Sequence, residues 1–221
     1  MKHGAKKRIL IVDDHPMMRQ GLAQLIDNEG DLSVCGEADT AGQAFTAVGA
    51  QRPDLVIADI SLPDRNGLEL IKDLQAIHSG LPVLVVSMHD ESLYAERVLR
   101  AGGRGYIMKQ EGGKKLMEAI RQVLNGQIYV SEKMSAKILE IFSGRRPQAA
   151  GSSLEQLSDR EFEVFQLIGE GKATREIADH LHLSVKTVEV HRANIRKKLK
   201  LASGTDVVHQ AIRWVESQKP S

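Results

Sequence analysis

Aromatic residues are scarce in this 221-residue chain, which has one tryptophan, three tyrosines and four phenylalanines, 4% of the total. Its cores must therefore be built from aliphatic side chains. Cys35 is the single cysteine, which excludes an internal disulfide and suits a reducing cytoplasm. Set in the apolar stretch Leu32–Gly36, it is expected in the core rather than as a reactive thiol. No apolar run approaches the roughly 20 residues of a membrane span. The start, Met1–Arg8, is basic, but only four apolar residues follow before Asp13, too few for a secretory signal. An excess of either charge is also missing: 30 Lys and Arg face 29 Asp and Glu. Any nucleic-acid surface must therefore be local. There is no internal repeat. What remains is an ordinary globular composition, 42% apolar, in a length that suits two domains.

Strand-like and helix-like patterns alternate five times from Arg8 to about Asn125. The strand candidates are 8–13, 32–37, 54–59, 82–87 and 104–108. Helices fit between and after them at about 15–28, 40–50, 67–76, 91–101 and 113–125. Such alternation predicts right-handed βαβ units and a parallel sheet covered on both faces. Turn signals punctuate it at Arg52-Pro53-Asp54, Pro63–Gly67 and Ala101–Gly105.

Four of these strands end in groups that carry chemistry. Asp13 and Asp14 follow Ile9–Val12, Asp59 follows Leu55–Ala58, Ser87 follows Val83–Val86, and Lys109 follows Tyr106–Met108. In an open α/β sheet the carboxyl ends of the strands form the ligand-binding rim. Three carboxylates, a hydroxyl and an ammonium on one rim suit a hard divalent cation such as Mg²⁺ and a phosphoryl group. A carboxylate can itself accept the phosphoryl group. A single aspartate at a strand end is more simply a turn former or helix cap, and Asp14 stands where it could cap a helix beginning near Pro16. Four strand ends acting together are not explained that way.

These residues, in this order, resemble the receiver domain of bacterial two-component response regulators over about 8–125, including the segment Asp59-Ile60-Ser61-Leu62-Pro63-Asp64-Arg65-Asn66-Gly67. The resemblance implies a flavodoxin-like doubly wound sheet in the order 2-1-3-4-5. It implies Asp59 as the phosphoacceptor, with Mg²⁺ held by Asp13, Asp14, Asp59 and the Ser61 backbone carbonyl. Ser87 would bond a phosphoryl oxygen, Lys109 would pair with it, and Tyr106 would be the switch aromatic that turns inward when Ser87 moves. Simple strand-end packing is the other reading of Tyr106. Ser61 and His89 flank the site and could tune water access. The family often has proline after the lysine, whereas Gln110 stands here.

Beyond Gly126 the pattern changes. Ser131–Phe142 reads as one amphipathic helix with Met134, Ile138 and Ile141 on a stripe. The small, polar run Ser143–Ser153 cannot bury enough surface to fold and reads as linker. From Leu154 onward everything is helical. Ser158 and Glu161 form a capping box opening a helix to about Glu170, with Gly171 ending it. Thr174–His180 is a second helix, Ser184 caps a third running to about Leu199, and Thr205–Ser217 is a fourth. A short helix, a tight turn and a longer basic helix make a helix-turn-helix.

On the third helix, Val188, Ile195 and Leu199 share a stripe, with His191 and Arg192 at its edges. Lys186, Glu189, Val190, Ala193, Lys197 and Lys200 lie opposite. Between 186 and 200 six basic residues face one acidic residue, Glu189. Small apolar side chains among lysines suit a helix in the DNA major groove, where cations meet phosphates and methyl groups meet thymine. Glu189 could accept a bond from a cytosine amino group.

The stretch from Leu157 to Leu199 resembles the LuxR-type DNA-binding domain. Joined to a receiver, it resembles response regulators of the NarL/FixJ class. The resemblance implies Glu189, Val190 and Ala193 at base edges and Lys186, Thr187 and Lys197 at phosphates. It implies a dimer contact through Val208, Ile212 and Val215 on the last helix, so that the protein acts as a homodimer on an inverted repeat. The expected architecture is a phosphoacceptor domain at 1–128, a linker with a helix at 129–153, and a helix-turn-helix domain at 154–221. The expected function is cytoplasmic transcription control, with phosphorylation by a partner histidine kinase governing DNA binding and contact with RNA polymerase as a further option. A constitutive DNA-binding regulator whose receiver is only an interaction module is the alternative. A phosphatase with an aspartyl nucleophile would want a second acid two residues after Asp59, where Ser61 stands, so an enzyme is not expected.

Overall fold

A computed structural model of the chain describes residues 5–142, 153–181 and 183–217. Most of the polar linker run lies outside the described residues. The chain forms two compact units, Met1–Leu139 and Glu140–Ser221.

In the first unit the strands β1 (Lys7–Val12), β2 (Leu32–Ala38), β3 (Leu55–Ala58), β4 (Val83–Ser87) and β5 (Gly105–Met108) alternate with α1 (Pro16–Asp27), α2 (Ala41–Gln51), α3 (Gly67–Ile77), α4 (Glu91–Arg100) and α5 (Gly112–Leu124). The sheet is parallel throughout and ordered β2-β1-β3-β4-β5. β3 and β4 are buried along their whole length and β1 from Ile9 onward, as both-face coverage demands. Ile9, Ile11, Leu55, Ile57, Leu84, Val86 and Ile107 pack with Leu22, Ile26, Leu116, Met117 and Ile120 of α1 and α5. The other helices pack on the opposite side of the sheet.

β2 lies at an edge and is only half-buried. Ile9 pairs with Val34 but Leu10 pairs with Gly36, so Cys35 is the extra residue of a bulge. That is why the expected core cysteine is half-exposed instead, its pKa raised by partial burial.

The first unit also takes in residues that the sequence reading gave to the linker. Tyr129 lies beside β5, where it accepts a bond from the Tyr106 amide at 2.9 Å and donates to the Arg104 carbonyl at 3.0 Å. The helix α6 (Glu132–Phe142) begins just after, capped by Ser131 Oγ on the Met134 amide, and Met134 is buried. The compositional boundary misses this because backbone pairing leaves no mark in side-chain pattern.

The second unit is helical, with α7 (Asp159–Gly169), α8 (Thr174–His180), α9 (Val185–Lys198) and α10 (Gly204–Ser217). The capping box is present: the Ser158 amide donates to Glu161 Oε2 at 2.8 Å, and the Glu161 amide to Ser158 Oγ. Phe162, Phe165, Ile177, Val188, Ile195, Val207 and Ala211 form the interior. Trp214 packs against Phe162 and Phe165 with ring centroids 5.3 and 5.9 Å away. Gly169 lets α10 come close, since a β-carbon there would lie 2.5 Å from the Ala211 carbonyl oxygen.

Candidate functional site

At the carboxyl end of the sheet, Asp13, Asp59 and Lys109 meet with their side chains largely shielded from solvent. Lys109 Nζ lies 2.6 Å from Asp13 Oδ2 and 2.7 Å from Asp59 Oδ2, and all three side chains are at most 7% exposed. Burial works to lower the pKa of this ammonium, but the bonds to Asp13 and Asp59 outweigh it, so the pKa is raised and Lys109 stays charged. Asp59 Oδ1 accepts from the Ile60 amide at 2.6 Å. Asp13 Oδ1 accepts from the His15 amide at 2.9 Å, and Arg19 donates to the Asp13 carbonyl.

Asp14 does not cap α1. The cap position is His15, which offers no side-chain bond, and Pro16 opens the helix. Asp14 Oδ1 is instead a buried oxygen without a hydrogen bond, with His15 Nδ1 as its ion-pair contact at 2.6 Å. Asp13, Asp14, His15 and Asp59 place ligand atoms within 4.8 Å of one another. With three carboxylates against one ammonium the pocket holds surplus negative charge, and the donors are hard oxygens. Orphaned oxygen, surplus charge and donor type together fit Mg²⁺, which receiver domains bind at such an acidic site.

The loop after Asp59 is braced from several sides. Asp64 accepts from the amides of Ala41 and Gly42 at the start of α2, at 2.8 and 2.9 Å. Asn66 caps α3, and the Gly67 amide donates to the Ile60 carbonyl. A β-carbon at Gly67 would sit 2.3 Å from the Asp59 carbonyl oxygen, so no other residue fits there without moving the acceptor strand. Ser61 Oγ is 2.9 Å from His89 Nε2, joining the two residues that flank Asp59.

Ser87 is buried at the end of β4. Tyr106 points inward, fully buried, and its hydroxyl donates to the His89 carbonyl at 2.8 Å. Burial raises its pKa far above the usual tyrosine value. The aromatic therefore touches the loop between β4 and α4.

In the second unit α9 divides as its sequence predicts. Val188, Ile195 and Leu199 are buried, whereas Lys186, Glu189, Val190, Ala193, Lys197 and Lys200 are exposed. Thr187 is half-buried, and its amide and hydroxyl both meet Ser184 Oγ. Two details escape the sequence. Lys198 turns inward to Glu161 at 2.6 Å, so its charge is committed to the fold. On α10 the buried residues are Val207 and Ala211, leaving Val208, Ile212 and Val215 half-buried, with Val215 Cγ2 close over Gly169.

Residues 9–121 match the response regulator receiver domain, and residues 155–211 match bacterial regulatory proteins of the luxR family. The chain belongs to the two-component response regulators that join a receiver to a LuxR-type DNA-binding domain. Among its relatives is the oxygen regulatory protein NreC of Staphylococcus carnosus, 33% identical over 210 residues that span 93% of this chain and 97% of that protein. A LuxR-family two-component response regulator from Aurantimonas sp. SI85-9A1 is 31% identical, with a TM-score of 0.58 over 63% of this chain and 99% of that one. The fold is shared with RcsB of Salmonella enterica serovar Typhimurium, solved bound to promoter rprA with phosphomimetic BeF3⁻. That structure gives a TM-score of 0.66 and 24% identity over 92% of this chain and 97% of RcsB. Among the described residues no helix is long and apolar enough to cross a membrane.

Proposed function

We propose that a partner histidine kinase phosphorylates Asp59 and that this modification controls DNA binding by the second unit. The observation that carries the reading is the Lys109 ammonium held between Asp13 and Asp59, poised to neutralise charge that builds up there. An Asp59 carboxylate oxygen bonds to phosphorus as the bond to the kinase histidine nitrogen breaks, leaving an acyl phosphate and a neutral imidazole. Asp13, Asp14, Asp59 and the Ser61 carbonyl hold Mg²⁺, which when bound offsets phosphoryl charge. Ser87 donates its hydroxyl to a phosphoryl oxygen, and Tyr106 follows the resulting movement of the loop it already touches.

On α9, Lys186, Thr187 and Lys197 contact phosphates. Glu189, Val190 and Ala193 face base edges, with exposed Val190 and Ala193 suited to thymine methyls. Val208 and Ile212, with what Val215 leaves uncovered, form the contact of a homodimer on promoter DNA. The domain limits 1–128, 129–153 and 154–221 serve this reading, with residues 129–139 belonging to the first compact unit. A cytoplasmic location and contact with RNA polymerase complete it.

The test compares Asp59→Asn with the natural protein, using acetyl phosphate and Mg²⁺ as phosphodonor. Label should disappear in the variant, and beryllofluoride should raise the affinity of the natural protein for genomic fragments recovered by selection. Label persisting on Asp59→Asn refutes the acceptor. Equal affinities with and without beryllofluoride refute the switch and favour a constitutive regulator.

A further inference from the structure

The segment leaving the receiver is tied down beside Tyr106 in a closed circuit. The Tyr106 side chain donates to the His89 carbonyl, in the loop that leads into α4. Glu91, the first residue of α4, accepts a bond from the Ser131 amide at 2.7 Å. Two residues back, Tyr129 closes the circuit by accepting the bond from the Tyr106 amide. The stretch is held besides by the Tyr129 amide, which donates to the Arg104 carbonyl at 3.0 Å, and by the buried Met134. Ile128 is 54% exposed, and a cleft of about 570 Å³ opens between residues 129–133 and the α5 side, lined by Glu111, Lys115 and Glu118.

We infer that Glu91 and Tyr129 form a latch that clips residues 129–134 to β5 in the unphosphorylated protein, and that movement of the β4–α4 loop on phosphorylation opens it. The inference rests on Asp59 as the acceptor. Its physical logic is that Glu91 and His89 sit on either side of Asp90, the cap of α4, so the His89 carbonyl and the Glu91 carboxylate move together. A loop displaced toward Ser87 takes Glu91 out of reach of a short bond. Such a bond weakens steeply with distance and angle. Opening the latch frees residues 129–131 from the edge of β5.

The test is amide hydrogen exchange at Tyr129 and Ser131 in the full-length protein, read by NMR, with acyl phosphate followed separately by gel mobility. Acetyl phosphate with Mg²⁺ should speed exchange of both amides about tenfold, the change in opening equilibrium that loss of one bond to a carboxylate sustains. Glu91→Ala should exchange as fast without any phosphodonor. Glu91→Gln keeps an acceptor oxygen but loses the negative charge at the start of α4, and it should stay protected. Protection in Glu91→Ala equal to that of the natural protein overturns the latch. So does equal exchange in the Ala and Gln variants, which would assign the effect to helix charge, and so does acyl phosphate formed with no change in exchange. A failure to form acyl phosphate overturns the acceptor reading instead, while the Ala and Gln comparison still decides the latch.

Discussion

Replacing Lys198 with methionine isolates one ion pair between α7 and α9. Glu161 is 4% exposed, and the Lys198 side chain is 39% exposed. Breaking a fully buried pair costs about 3–5 kcal/mol, and an exposed pair rarely exceeds about 1 kcal/mol. Glu161 keeps its bond from the Ser158 amide, and water can reach the lysine end, so the expected loss is about 1.5 kcal/mol. For a domain of this size that lowers Tm by about 6–12 °C. Trp214 is the single tryptophan and packs on Phe162 and Phe165 within the same unit, so its fluorescence reports this unit in the intact protein. The pH dependence supplies a second reading. Burial pushes the Glu161 carboxyl up, but the bonds from Lys198 and Ser158 hold it below the ordinary glutamate value of 4.5. A depressed acid stabilises the fold above its unfolded pKa, and that contribution is lost as pH falls through the folded value. The Trp214 transition should therefore weaken as pH falls below the ordinary glutamate value of 4.5, and less so in Lys198→Met. An unchanged midpoint at pH 7 would refute the reasoning. So would a shallower salt dependence of DNA binding, which would put the ammonium on phosphate.

Lys197→Ala should lower DNA affinity on every sequence and reduce the salt slope by about one, measured by titration at several ionic strengths. Gly67→Ala should destabilise the first unit by about 3 kcal/mol, because backbone meets the new methyl. Urea unfolding followed by circular dichroism checks this, and a natural midpoint would show that the strand yields. Val208→Glu should weaken cooperative DNA binding while leaving the Trp214 transition within about 0.5 kcal/mol, as expected of a surface change. Unaltered cooperativity would clear that helix face of any dimer role.

Where side-chain pattern carries the information, sequence and structure agree. The five strands lie within a residue or so of their expected places, since each is an apolar run bounded by turn residues. Asp13, Asp59 and Lys109 converge because the strand ends of a parallel sheet share one rim. The stripe Val188, Ile195 and Leu199 is buried as helical spacing requires. Pattern was silent where a single contact decides. Lys198 looks like any lysine of a basic helix until the capping glutamate of α7 is seen beside it. On α10 two adjacent stripes, 207/211 and 208/212, are about equally apolar, and only the close approach allowed by Gly169 selects the inner one. The alternative in which Asp14 caps the helix opened by Pro16 fails, because His15 takes the cap position and the Asp14 oxygen is left without a hydrogen bond.

An open sheet has two raw edges at which another chain could add a strand. Here the bulge at Cys35 interrupts the pairing register of β2, and Tyr129 occupies part of β5 with the protein's own backbone. While that pairing lasts, the Tyr106 amide and the Arg104 carbonyl have no bond to offer a stranger. Any state that frees Tyr129 would bare that edge, so protection against edge-to-edge association rests on the same two hydrogen bonds.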